Sequence, residues 1–196
     1  MNMQFPTMLS FTANYQVEAA GNDSFHAREF RKPDTASSGI ALQVRTGNVV
    51  LRVSPAKGEP WVGRFQGGPE GLDGVFATPN AEVVCVIVRG QGFWVPVYQP
   101  AAFEMVRSIP IKDVLYNQAC LFFVSFTRLS AYGAQGLMWV TDDLSWDGIR
   151  DVSVTETTIC GVGWDSPAGR DVSFSIDIAT GRTQGGSSPA TYAASK

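Results

Sequence analysis

Histidine is almost missing: His26 is the only one in 196 residues. A Ser–His–Asp or Cys–His nucleophile system would have to recruit that single imidazole, and it lies in the least patterned part of the chain. Cysteine is scarce as well. Cys85, Cys120 and Cys160 are an odd number, each inside an apolar run, and no C-x-x-C spacing occurs. This argues against a disulfide framework or a zinc ribbon. It reads as three buried thiols in a reducing compartment, the cytoplasm.

Charge is low, at 17% of residues, and the net balance is −3. The densest basic cluster, Arg28, Arg31 and Lys32, is interrupted by Glu29. Affinity driven by a nucleic-acid backbone or an anionic membrane is therefore not expected. No apolar stretch approaches the roughly 20 residues of a membrane span. The opening "MNMQFPTMLSFTANY" has neither a basic region nor a signal-length apolar run, so the chain reads as soluble with no visible export signal. Amphipathic helical periodicity is nearly absent. Only "NDSFHAREFRKP" and "QPAAFEMVRSIP" are helix candidates, each closed by a proline.

What is present is strand and turn. Apolar or alternating runs occupy 82–88, 92–98, 119–126, 128–133, 137–141, 149–154, 158–164 and 172–178, with two further strands expected in "IALQVRTGNVVLRV" (40–53). Turn signals separate them every eight to twelve residues or so, the pattern of an all-β sandwich, barrel or propeller, and the expected fold is antiparallel sheets arranged as propeller-like blades (an incomplete propeller) or as a β-sandwich. Residues 1–38 form a weakly patterned N-terminal segment, 39–186 a single all-β domain, and "TQGGSSPATYAASK" ends in a mobile tail, 187–196.

The cysteine-bearing strands recur at intervals of 35 and 40 residues, counted from Cys85 to Cys120 to Cys160, the period of a four-stranded propeller blade. Two stretches, "AYGAQGLMW" (131–139) and "IDIATGRTQGG" (176–186), resemble the A-x-D-x-x-T-G-x-x-x-W element of PQQ-type propeller blades. That resemblance implies a strand ending in Asp, a Thr-Gly turn, and a Trp docked between blades. Ala131, Gly136 and Trp139 match in the first copy, with Gly133 in place of the Asp. Asp177, Thr180 and Gly181 match in the second, with Gly185 in place of the Trp. No quinone-binding residue is matched, so no cofactor is expected. The "LSWDG" and D-x-x-T-G features also resemble bacterial all-β proteins of unknown function.

Candidate sites are few. "DDLSWDGIRD" (142–151) sets Asp143, Ser145, Asp147 and Gly148 at the first positions of a calcium loop. Val154 stands where the bidentate Glu belongs, and the flanks read as strands. A turn is expected, and no metal. "WDG" (146–148) and "WDS" (164–166) could form a sugar platform or cap a sheet. The loop acids Glu59, Glu70, Asp73 and Glu82 are the remaining candidates for acid–base work. The unusual segment is "KGEPWVGRFQGGPEGLDG" (57–74), read as a long aromatic–glycine loop.

These features lead to a non-catalytic module that binds another protein, an immunity-type protein being one form. Trp61, Arg64 and Phe65 are the expected contact residues, with Trp146 and Asp147 next. The alternative is a glycan-binding or carbohydrate-active β protein using loop carboxylates. A homodimer is compatible with either.

Overall fold

The computed structural model describes residues 7–8, 11–21, 27–31 and 48–190. They are all-β, built of four small, mainly antiparallel sheets, none closed into a barrel. The chain divides into two compact units, Met1–Val106 and Arg107–Lys196.

The first unit contains β1 (Thr7–Met8), β2 (Tyr15–Ala19), β3 (Arg28–Phe30), β4 (Asn48–Pro55), β5 (Trp61–Gln66), β6 (Gly74–Ala77), β7 (Val83–Val88), β8 (Gln91–Pro96) and β9 (Glu104–Met105). They pair as β2-β4-β5-β3 and β1-β6-β7-β8-β9. Side chains alternate across a strand, and β5 shows it: Trp61, Gly63 and Phe65 point one way, Val62, Arg64 and Gln66 the other. The inward set meets Phe30, Leu51 and Val53, and this face packs on Val84, Val86, Phe93 and Val95 of the neighbouring sheet. Phe30 stacks on Phe65 with centroids 4.4 Å apart and meets Phe103 edge-on at 4.9 Å. Each such aromatic pair adds about 0.5–1.5 kcal/mol beyond its buried area.

Gly63 has a packing reason to be glycine. A Cβ there would lie 2.7 Å from the Phe30 ring and 2.8 Å from that of Phe65.

The second unit contains β10 (Asp113–Tyr116), β11 (Leu121–Val124), β12 (Leu129–Gly133), β13 (Gly136–Val140), β14 (Ile149–Val154), β15 (Thr158–Asp165), β16 (Arg170–Asp177) and β17 (Thr183–Gly185). Each sheet here is a simple meander, β10-β11-β12-β13 and β14-β15-β16-β17. Phe122, Leu129 and Ala131 of the first pack on Ile159, Phe174 and Ile176 of the second. The register slips in β12–β13, where Ala131 pairs Trp139 but Tyr132 pairs Leu137. Met138 is thus the extra residue of a bulge.

Several expectations change. "QPAAFEMVRSIP" yields only a short 3-10 turn, Pro100–Ala102, followed by β9. In "NDSFHAREFRKP" the described part, 27–31, holds the strand Arg28–Phe30 and no helix, while His26 lies outside the described residues. β2 and β3 both arise within the weakly patterned segment 1–38. The first of the two strands expected in 40–53 also lies outside the described residues. In the tail, Ser187 and Ser188 are buried and the Ser187 N–H donates to the Leu144 carbonyl at 3.0 Å, whereas 191–196 lie outside the described residues.

Cys85 and Cys120 are buried free thiols, but Cys160 is exposed. The reason is strand alternation: Ile159 and Gly161 are buried, so Cys160 between them faces outward opposite Ser175. Burial pushes the thiols of Cys85 and Cys120 up, deepening their inertness. Alkylation of the native protein should therefore label one thiol quickly. Peptide mass analysis should assign it to Cys160, and Cys160→Ser should abolish the fast phase; fast labelling of Cys85 would contradict this packing.

Candidate functional site

The segment 57–74 is not one long loop. Residues 61–66 are β5, and the turn beyond it, 69–73, is strapped to the β7–β8 hairpin. The Arg89 N–H donates to Asp73 Oδ1 at 2.7 Å, its guanidinium donates to the Pro69 carbonyl at 2.5 Å, and the Gly90 N–H donates to the Leu72 carbonyl at 2.8 Å. Asp73, one of the acid–base candidates, thus supports a turn.

Of the three residues expected as contacts here, Phe65 is completely buried in the aromatic stack and has no surface to offer. Trp61 is half-buried. Its Nε1–H donates to the Val97 carbonyl at 2.8 Å, beyond the end of β8 in the neighbouring sheet, and its ring sits 5.7 Å from that of Phe30. Arg64 lies on the opposite face of β5 and pairs with Glu29 at 3.1 Å. The outer face of this sheet repeats the theme with Arg52 and Glu18 at 3.5 Å, both well exposed, so the pair contributes little.

The second unit repeats the tryptophan arrangement. Trp139, on β13, stacks on Phe122 with centroids 6.2 Å apart and donates from Nε1 to the Ile178 carbonyl of the neighbouring meander at 2.8 Å. Beneath its ring is Gly181, at φ +70°, where a Cβ would lie 2.6 Å from Trp139 Cγ. The turn holding Gly181 is closed by Asp177, whose Oδ1 accepts from the Thr180 N–H at 2.8 Å and its hydroxyl at 2.5 Å. Those two bonds hold the Asp177 carboxyl below the usual range. The two imperfect sequence copies are therefore complementary: the first supplies the Trp, the second the Asp–Thr–Gly turn, and they meet.

In "DDLSWDGIRD" residues 142–148 are the turn between β13 and β14, and Ile149–Asp151 open β14. Its would-be ligands diverge. Asp143 is engaged by Arg128, with Nε to Oδ1 at 2.6 Å and the second guanidinium nitrogen to Oδ2 at 3.0 Å, and by the Thr127 hydroxyl at 2.6 Å. Ser145 is buried and organises the backbone: its hydroxyl donates to the Gly148 carbonyl at 2.6 Å and accepts from the Trp164 N–H at 2.7 Å. Gly148 takes the positive φ of +85°. Among the described residues no group of three His, Cys, Asp or Glu side chains comes together.

The Arg128 pair sets an acid limb. Its hydrogen bond, aided by that of Thr127 and opposed by partial desolvation, lowers the Asp143 pKa. A lowered folded-state value gives stability that is present above the unfolded value, about 3.9, and is lost as pH falls through the folded value. Asp143 keeps 32% side-chain exposure and Arg128 53%, so solvent screening holds the contribution to about 0.5–1 kcal/mol. Asp143→Asn should lower stability by that amount at pH 7 and have no effect once the pH is below both values. Denaturant melts at the two pH values check this.

Ser145 also draws the two Trp–Asp pairs together. The Trp146 N–H donates to the Trp164 carbonyl at 2.9 Å, and Trp146 Nε1–H donates to the Ser187 hydroxyl at 3.2 Å. Both indoles are half-buried, and Asp147 is exposed. Sequence reasoning saw the two pairs separately; nothing in it revealed that they adjoin.

The feature missed altogether is the edge of a sheet. β13 is the last strand of its meander. Leu137, Met138 and Val140 on it are exposed by 41%, 46% and 39%. Other exposed large apolar residues, such as Tyr98, Ile109 and Phe126, are scattered singly, which is ordinary for a protein surface. Three within four residues on one edge strand is not. The available signal was "GLMWV", five uncharged residues without an inward–outward alternation.

No protein-family profile matches the chain, and no curated protein sequence matches it. Among solved structures, one that it resembles is described as a complex of KlAtg21 with the coiled-coil of AgAtg16, at 14% identity and TM-score 0.39, covering 69% of this chain and 50% of that one. Another is a complex from S. cerevisiae in which a Dbp5 variant is bound to Nup159, a Gle1 variant, IP6 and ADP, at 11% identity and TM-score 0.40, covering 96% of this chain and 54% of that one. The chain thus spans about half the length of each.

Proposed function

We propose that the chain is a recognition module that binds another protein and performs no chemistry of its own. The observation that supports this best is the apolar edge of β13, with Leu137, Met138 and Val140 exposed in one run. Such edges are templates for further pairing unless charged, covered, kept short or twisted by a bulge; Gly136–Val140 contains no charge, and its single bulge at Met138 leaves Leu137 and Val140 exposed. The acidic balance (net −3) turns the expectation away from nucleic acid and anionic lipid. Among the described residues no helix is long and apolar enough to cross a membrane. Three free thiols suit a reducing, cytoplasmic setting. Trp139 over the Asp177–Gly181 turn favours propeller-type blades as the reading of these meanders.

The test is photo-crosslinking in the source organism, with p-benzoylphenylalanine placed at position 137 or at the exposed position of Arg170. The expected result is a discrete protein adduct from 137, absent from 170 and lost when Val140→Lys is added. No adduct from 137 would refute the proposal.

A second reading rests on the adjoining backbones of the Trp146–Asp147 and Trp164–Asp165 pairs, each a half-buried indole beside a carboxylate, the residue types of a glycan platform. A glycan array read with the wild type and with Trp146→Ala decides it: binding lost in the variant would favour that reading over the first.

A further inference from the structure

We infer that the occupant of the β13 edge is an extended, largely apolar segment of the partner protein, added as a fifth strand to the β10-β11-β12-β13 meander. The inference rests on the recognition reading above and names its mode. Area decides between occupants. Leu137, Met138 and Val140, at 41%, 46% and 39% exposure, offer on the order of 250 Å² together, far below the roughly 800 Å² per partner of a standard interface. A second copy of this chain docked on the edge would need much more. A strand is different, because its main-chain hydrogen bonds to the unpaired edge supply affinity while alternate side chains supply fit.

Charge refines the chemistry. The strand itself is neutral, and its exit carries Asp142 and Asp143. Arg128 is bound to Asp143, so the three charges leave that end net negative, with Asp142 exposed. A segment with one basic residue beside Asp142 and apolar residues along β13 is the complement. The bulge at Met138 bends and twists the edge, which disfavours indiscriminate pairing with flat strands.

The probe is a pool of short fluorescein-labelled peptides with apolar residues at alternate positions and a Lys or a Glu at one end, titrated into the intact protein. Lys-ended peptides should bind in the range of roughly 1–100 μM. Leu137→Lys with Val140→Lys should weaken them at least about tenfold without changing the melting temperature. N-methylation of alternate peptide amides should abolish binding to the unaltered protein, a control that requires no folded variant. Asp142→Lys should shift the preference from Lys-ended to Glu-ended peptides. Absence of binding, binding indifferent to N-methylation, or sedimentation showing a dimer that Leu137→Lys splits would each overturn strand addition. A position-137 adduct combined with a silent peptide pool would refute this mode and leave protein recognition standing.

Discussion

Trp139→Ala is expected to destabilise the Arg107–Lys196 unit by about 3 kcal/mol, toward the lower part of the range for removing a buried aromatic because the indole is only half-buried. Three losses combine: the stack on Phe122, the cover over Gly181, and the hydrogen bond to the Ile178 carbonyl. For a unit of this size the midpoint should fall by roughly 10 °C or more. Trp139→Phe should cost less, since an aromatic ring remains, although the N–H donor and part of the indole's packing area are lost. Gly181 provides the control. Gly181→Ala puts a Cβ 2.6 Å from Trp139 Cγ at a φ of +70°, so it carries both a steric cost and about 1 kcal/mol of left-handed strain. In the Trp139→Ala background the clashes with the indole ring are removed, and the strain should remain together with the smaller clash against the retained Cβ at 2.9 Å. Strongly non-additive melting data across this cycle are the predicted outcome; additive costs would mean that Trp139 does not rest on Gly181.

Trp61→Ala is expected to act in the same way on the first unit, again by about 3 kcal/mol. Trp61 joins Phe30 to the Val97 carbonyl, so its removal opens the end of the aromatic stack and leaves that carbonyl without its donor. The melting temperature should drop, and the surviving folded protein should still give the position-137 adduct. A variant with unchanged stability and partner affinity weakened by more than about 2 kcal/mol, the mark of a hot spot, would reverse the assignment and restore Trp61 as a contact residue.

These two tryptophans illustrate what the sequence reveals. The strands at 83–88, 149–154 and 158–165 were legible because their apolar or alternating runs are flanked by turn residues. β5 was not, because Pro60, Gly63, Gly67 and Gly68 give its neighbourhood the composition of a loop. The alternation Trp61, Gly63, Phe65 against Val62, Arg64, Gln66 was present but obscured. Gly63 reads as a turn residue, yet it is required by three aromatic rings that crowd the place a Cβ would take. The docked Trp and the Thr-Gly turn were each visible, but their meeting depends on which sheets adjoin, which local pattern does not encode. Burial of Phe65 and exposure of Leu137 are likewise set by neighbours distant in sequence. The turn at 142–148 was legible throughout, since Asp-Gly and the missing acid at 154 are local facts.

Amide hydrogen exchange across Gly136–Val140, with and without the protein captured at position 137, tests the recognition surface most directly. The account predicts that β13 amides exchange at least about tenfold more slowly in the complex, while the outer face of β5 and the Trp146–Asp147 turn are unchanged. Protection that appears at Arg64 or at Trp146–Asp147 and leaves β13 as in the free protein would contradict it.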